Sequence, residues 1–411
     1  MYLYKIATDK YGFSHIKYDF DEANIDEIKS SNKVYFLFKM DPMKSRRSYL
    51  ISSPSLLFLE DENINILNKK KTEFPVANWL KEKINDKKVI AVNTNYPSWK
   101  TVLNHTLPKK WRINLLALGD VGSTLLTGLK LLGNNIIFEI GIYDRTYEKA
   151  KRWEMEMNQV LKAFNYDSPK VKIIDRSDIF DCDMFVFCAS KSVPKVGSEV
   201  KDVRMAQFES NSNIIKEYAI EARNIGFKGI FSVVSDPVDL LSKVVFLESN
   251  KNEKEEYDYN GLAPEQIRGY GLGVMNARAA YYANMSHDLN QFLSEGRAYG
   301  PHGDGLIIAD SIKNYNDDLS KLLTDKAINA NLEMRKLGYK PYIAPALSSG
   351  ALSIIDTISG NWHYSATFIG GVFMGSKNRI VNNSIELESI DMDDTLFERI
   401  KKSYTDLGEI I

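Results

Sequence analysis

Between residues 111 and 238 the chain alternates short apolar runs with longer amphipathic stretches. The apolar runs are Ile113 to Leu116, Ile136 to Tyr143, Val171 to Ile174, Met184 to Cys188 and Gly229 to Val234. The last three are near-continuous in apolar residues, as strands buried on both faces of a parallel sheet are. Tyr147 to Phe164 places Trp153, Met157, Val160, Leu161 and Phe164 at helical spacing, and Asn213 to Ile225 supplies a further helix. Strand and helix in alternation predict an α/β fold, a doubly wound parallel sheet covered on both faces.

The flanking regions have a different rhythm. Tyr35 to Met40, Ser48 to Ile51, Leu56 to Leu59 and Val89 to Val92 read as strands. Pro75 to Ile84, with Val76, Leu80 and Ile84 on one face, reads as a helix. Residues 1–110 are therefore expected to form a small α/β unit of their own. After Val238 the pattern turns to longer helices and irregular segments with a helical C-terminus, an α+β layer over 239–411. The hydrophilic stretch Asn250 to Asn260 is expected to face solvent as a mobile insertion.

Composition narrows the function. At 411 residues the chain is long enough for three domains, each with its own core. Its 53 basic and 54 acidic residues are interspersed, which argues against nucleic acid as a partner. Cys182 and Cys188, in one apolar strand and too far apart to bond easily, read as buried free thiols in a reducing compartment. The N-terminus does not open like a signal peptide, and no apolar run approaches the ~18 residues of a membrane span, so a soluble cytoplasmic protein is expected. The basic clusters Lys44, Arg46, Arg47 and Lys69 to Lys71 are expected to be solvated turns. No metal-ligand pattern stands out.

One stretch carries chemistry. The first strand runs into Ala117-Leu118-Gly119-Asp120-Val121-Gly122, a helix start follows at Ser123, and Asp144 closes the second strand. This is the dinucleotide-binding order: a backbone bare of side chains approaches the pyrophosphate, a helix N-terminus meets its charge, and a carboxylate about 20 residues on binds the ribose hydroxyls. Gly119, Asp120, Val121, Gly122 and Asp144 are the expected cofactor contacts. Ala117 stands where the first glycine is usual, so the turn has to accommodate a methyl group. Asp144 favours NAD over NADP because it would repel a 2′-phosphate, an effect that Arg145 partly offsets.

Further motifs follow in a set order: Arg204 with Asn211, Val234-Ser-Asp-Pro-Val-Asp239, Gly269-x-Gly with Arg278, and Pro301-His302-Gly303-Asp304. Together with the glycine turn, Ser348-Ser-Gly-Ala-Leu and Gly370-Gly-Val-Phe-Met-Gly, they resemble the lactate/malate dehydrogenase family over residues 112–411. The resemblance implies NAD as cofactor, a small carboxylate as substrate and a homo-oligomeric assembly. It makes His302 the acid/base, a role suited to a group that titrates near working pH. It makes Arg278 the bidentate grip on a substrate carboxylate, Asn211 a second substrate-binding residue, and Arg204 the cation that polarises the carbonyl from a closing loop. The loop from Ala189 to Arg204 is then a lid, although an ordinary charged surface loop fits the spacing equally well.

Three departures fall inside this site. Met275 stands where the family has the aspartate that pairs with the catalytic histidine, and loss of an orienting carboxylate costs about four orders of magnitude in a serine protease. Asp236 stands where the family has an asparagine, and an ionised carboxylate accepts but cannot donate a hydrogen bond to a developing alkoxide. Two rescues are open: Asp236 becomes the partner of His302, or the substrate is an imino acid whose charge Asp236 favours. The loop between Gly197 and Arg204 is longer than the family's, and Pro194 occupies the position that sorts lactate from malate. These residues point to an NAD-dependent oxidoreductase acting on a small 2-oxo or 2-imino carboxylate, with Asp236 as a third catalytic group. The competing class is a non-catalytic dinucleotide-binding sensor or assembly subunit that kept the fold.

Overall fold

The computed structural model describes residues 1–69, 74–164, 166–191 and 203–411, the side chains of 203–206 excepted. The N-terminal unit contains β1 (Tyr2–Ala7), β2 (Lys10–Ser14), β3 (Asp21–Glu22), α1 (Ile25–Ser30), β4 (Val34–Phe38), β5 (Ser48–Leu50), α2 (Asn78–Asn85) and β6 (Val89–Asn93). Its strands lie in the order β3-β1-β2-β4-β6-β5, with β2, β4 and β6 mutually parallel. Phe13, Ile28, Phe36, Leu80, Ile84 and Val89 form its core, burying the apolar face that the helical spacing of α2 predicts. The expected strand at Leu56 is instead a 3₁₀ turn over Pro54–Phe58. Pro54 opens it, a residue with fixed φ and no N–H to give a strand ladder.

The second part begins with β7 (Trp111–Leu116), α3 (Asp120–Leu132), β8 (Ile137–Tyr143), α4 (Tyr147–Asn158), β9 (Lys170–Ile173), β10 (Met184–Phe187), α5 (Val203–Asn224), β11 (Ile230–Val233), α6 (Val238–Ser249) and β12 (Ile267–Gly269). These six strands are parallel and run β9-β8-β7-β10-β11-β12 across the sheet. That is the doubly wound Rossmann order, whose direction reverses between β7 and β10, so ligands are expected outside the carboxyl ends of those strands. α4 stops short of the predicted Phe164. The Asn158 side chain bonds the amide and carbonyl of Val171 instead, and Phe164 has φ +63° and is almost fully exposed. Cys182 and Cys188 are both free and flank β10 rather than share it.

The chain continues through α7 (Leu272–Ala283), α8 (Phe292–Glu295), β13 (Arg297–Tyr299), β14 (Ile307–Ala309), α9 (Asp317–Lys336), α10 (Ser353–Ser359), β15 (His363–Ile369), β16 (Val372–Val381), β17 (Ser384–Leu387) and α11 (Asp394–Gly408). β15, β16 and β17 form an antiparallel meander that joins β12 and extends the Rossmann sheet to nine strands. Its strands are not apolar runs, because Ser365, Thr367, Ser376 and Asn378 all face one buried polar layer. The segment Asn250 to Asn260 is tethered: Asn250 is buried and donates to Phe246 and Leu262 carbonyls, and Asp258 forms a two-pronged pair with Arg223.

The two parts are locked together by charge. Arg47 reaches Glu265, just before β12, at 2.8 Å, while Arg46 is buried against Glu62 at 2.7 Å within the N-terminal unit itself. Lys87 pairs with Glu386 of β17 at 2.6 Å, and β5 lies against β17. Arg46 and Arg47 are therefore not solvated. Among the described residues no helix is long and apolar enough to cross a membrane, and no group of His, Cys, Asp and Glu is placed to hold a metal.

Candidate active site

The turn from β7 into α3 is made as the dinucleotide layout requires. Ala117 adopts φ +74°, the left-handed conformation that normally favours glycine, so its methyl is accommodated at the cost of local strain. Gly122 is required by contact: a Cβ there would lie 2.0 Å from the Ala117 carbonyl oxygen. A Cβ on Gly119 would meet nothing within 4 Å, which leaves the outer face of the turn open to a pyrophosphate. Asp120 and Val121 open α3, and the Asp120 carboxylate pairs with Lys340 at 3.1 Å. Asp144 accepts from the amides of Leu118 (2.9 Å) and Thr146 (3.0 Å) and from Lys149 (3.1 Å). Burial raises its pKa, but these donors outweigh burial and hold the carboxyl below its usual range. Alanine at Gly122 is expected to destabilise the chain by about 2–4 kcal/mol and to abolish NADH binding. Thermal unfolding and nicotinamide fluorescence titration would read both.

At the carboxyl end of β11, Asp236 precedes a cis peptide to Pro237 and meets His302, which lies in the turn between β13 and β14. The separation from His302 Nδ1 to Asp236 Oδ1 is 2.8 Å. Gly271 makes this approach possible, since a Cβ there would fall 2.8 Å from that of His302. The His302 ring is nearly buried while the Asp236 carboxylate is about half exposed. The His302 backbone amide also donates to Asp239, at 3.4 Å. Asp239 is fully enclosed, and burial pushes its carboxyl up to about 7 against the opposing pull of His302.

The sign of the Asp239 effect on stability follows. A folded-state pKa above the ordinary 3.8 means that the native state holds the proton longer than the unfolded chain. Its contribution is fully present below about pH 4 and is lost as pH rises to about 7. Asp239→Asn is expected to remove up to roughly 4 kcal/mol of that decline. Urea unfolding of both forms at acid and mildly alkaline pH would measure the difference.

Arg278, on α7, is half-buried and makes no ion pair among the described residues. Its guanidinium donates to Asn331 and to the Ala327 carbonyl of α9 and touches the Met275 sulfur. Burial lowers its pKa and the nearby Asp236 charge opposes that shift, which places the two groups in one electrostatic neighbourhood. Met275 is itself buried in the core beneath α7, so no acid replaces the missing aspartate from that position. Asn211, fully buried on α5, accepts from the Lys191 amide at 3.1 Å and donates to the Asp236 carbonyl at 2.8 Å. It thereby ties the loop after β10 to the turn that carries Asp236. Arg204 lies in the first turn of α5, and its side chain, like Pro194, Gly197 and most of the expected lid, lies outside the described residues.

The strand order and the turn define a dinucleotide-binding protein of the doubly wound class. Residues 111–257 match the family model for the lactate/malate dehydrogenase NAD-binding domain. The L-lactate dehydrogenase of Borrelia turicatae is 23% identical over 330 residues, 74% of this chain and 98% of the relative. That of Clostridium perfringens is 27% identical over 263 residues, 60% of this chain and 76% of the relative. Among solved structures, a lactate dehydrogenase from a deep-sea metagenome library superposes with a TM-score of 0.58 at 19% identity, covering 74% of this chain and 98% of that one. Malate dehydrogenase from Archaeoglobus fulgidus, in complex with NADH, superposes with a TM-score of 0.58 at 19% identity, covering 72% and 97%. Over residues 111–257 the chain thus carries the NAD-binding domain of the lactate/malate dehydrogenases, preceded by an N-terminal region outside that match.

Proposed function

We propose that this protein is an NAD-dependent oxidoreductase that interconverts a small 2-oxo carboxylate and its 2-hydroxy acid. The contact between His302 Nδ1 and Asp236 Oδ1 at 2.8 Å carries this reading. It supplies, from the position of the family's asparagine, the carboxylate that Met275 removed. Asp236 accepts the Nδ1 hydrogen, fixes the tautomer and stabilises the imidazolium, leaving Nε2 to give a proton to the substrate oxygen and to recover it in the reverse direction. The nicotinamide cofactor, when bound at the Gly119 to Gly122 turn, would give the hydride as NADH and take it back as NAD+ in the reverse direction.

Arg278 is a half-buried cation without a carboxylate partner among the described residues, and a substrate carboxylate would complete it. Asn211 positions the Asp236 backbone instead of touching substrate, and Arg204 is assigned the polarising role on the loop side. A carboxylate committed to His302 is less free to meet a substrate iminium, which favours the oxo acid over the imino acid.

Titration with NADH, followed by a screen of 2-oxo and 2-imino acids at the nicotinamide absorbance, tests the reading. Turnover of an oxo acid with Asp236 intact is the expected result. Turnover of imines alone would transfer the site to the imino-acid reading. Binding without any turnover would mark the chain as a nucleotide-binding sensor.

A further inference from the structure

The segment between α9 and α10 leads back to the cofactor turn. α9 ends at Lys336, and Gly338, at φ +87°, turns the chain away while its amide bonds the Arg335 carbonyl at 2.9 Å. The helical stretch Pro345–Leu352 then packs on α3 with no room for larger residues. A Cβ on Gly128 of α3 would fall 2.5 Å from the Ala351 Cβ, and one on Gly350 would fall 2.7 Å from the Leu125 side chain. Residues 337–344 are thus pinned at both ends, beside the helix whose N-terminus receives the dinucleotide. Lys340 lies midway and reaches over to Asp120, the first residue of α3, with its Nζ 3.1 Å from Oδ2.

Stability does not account for this pair. The Lys340 side chain is 81% exposed and that of Asp120 53%, and an ion pair so exposed contributes little to folding. Its position matters more. α3 has no side-chain cap, so the amides of its first turn are left for the pyrophosphate. Asp120 puts a carboxylate at that same helix end, which complements the helix dipole but repels a phosphoryl group arriving there. Lys340 offsets that charge. An ammonium has three N–H donors, of which Asp120 takes one. The others have no acceptor among the described residues and, at this exposure, stand open to a ligand.

We propose that Lys340 is a cofactor-binding residue, which bridges the Asp120 carboxylate and the phosphoryl oxygens of the bound nicotinamide dinucleotide. The 337–344 segment then works as a charged strap over the glycine turn. This inference rests on the nicotinamide cofactor of the proposed function, and adds to it a cation from outside residues 111–257, which match the NAD-binding domain.

Fluorescence titration of the full chain with NADH, at several concentrations of sodium chloride, tests this role. Lys340→Gln is expected to weaken NADH binding about tenfold or more, as loss of a charge-assisted hydrogen bond does, and to flatten the salt dependence of the affinity. Lys340→Arg, which keeps the charge and the donors, is expected to stay within about threefold of the wild type. Asp120→Asn is expected to tighten binding by removing the repulsion, and the double variant Asp120→Asn with Lys340→Gln to remain at least about fivefold weaker than Asp120→Asn alone. Thermal midpoints should not move, because both side chains are exposed. Equal affinity of Lys340→Gln and the wild type would overturn the proposal, as would a fall in thermal midpoint that accounts for the lost affinity. A double variant that binds as tightly as Asp120→Asn would overturn it too, since Lys340 would then only neutralise the acid. If the wild-type chain itself binds no NADH, the cofactor reading falls and the role of Lys340 with it.

Discussion

Asp236→Asn is expected to lower kcat for a 2-oxo acid by about three to four orders of magnitude while leaving NADH affinity unchanged. Asparagine preserves the shape of the Asp236 side chain but removes the charge that stabilises the His302 imidazolium. It can also present its amide N–H to Nδ1, which stabilises the wrong tautomer. Single-turnover reduction followed through the nicotinamide absorbance isolates the chemical step, and a pH profile gives a second readout. In the reductive direction, which needs the protonated ring, loss of the carboxylate should bring the alkaline limb to lower pH, because the protonated ring is no longer favoured. The opposite outcome is equally informative. The resemblance to the lactate/malate dehydrogenases implies an asparagine at this position, so a rise in oxo-acid turnover would mean that Asp236 repels the developing alkoxide and that the imino-acid reading holds.

Arg278→Lys is the second large effect. Lysine keeps the charge but cannot make two parallel bonds to a carboxylate, and its shorter polar head loses the contacts to Asn331 and Ala327. A loss of about 3 kcal/mol, roughly a hundredfold in kcat/KM, is expected, most of it in KM if the grip is equal in ground and transition states. Substrates in which the carboxylate is replaced by an amide should show no such difference between the two forms. If they do, Arg278 serves the fold of α7 and α9 rather than the substrate.

Much of the Rossmann half was legible because its strands are apolar on both faces and its turn is under hard steric constraint. Gly122 has to be glycine, and Asp144 sits where the second strand ends. Helix ends were less legible. The α4 pattern runs on to Phe164, yet Asn158 captures the Val171 backbone and ends the helix, a local competition that periodicity does not record. The meander β15 to β17 was hidden for another reason. Its inward face carries serine, threonine and asparagine around a buried arginine, so the usual apolar alternation is missing. At the site, both Asp236 and His302 were visible as motifs, but their pairing was one of two possibilities until the Gly271 approach placed them 2.8 Å apart.

The seating of β5 against β17 has a consequence for the architecture. β17 is the last strand of the nine-stranded sheet and β5 the last of the six-stranded one, so each presents one side of its backbone with no ladder partner. Bare strand borders of this kind recruit other chains into continuous sheets. The N-terminal unit places its own border beside that of the nine-stranded sheet and pins the pair with Lys87 and Glu386, an arrangement that would hinder such recruitment. A fragment beginning at residue 111 would therefore lose colloidal stability before it lost its fold.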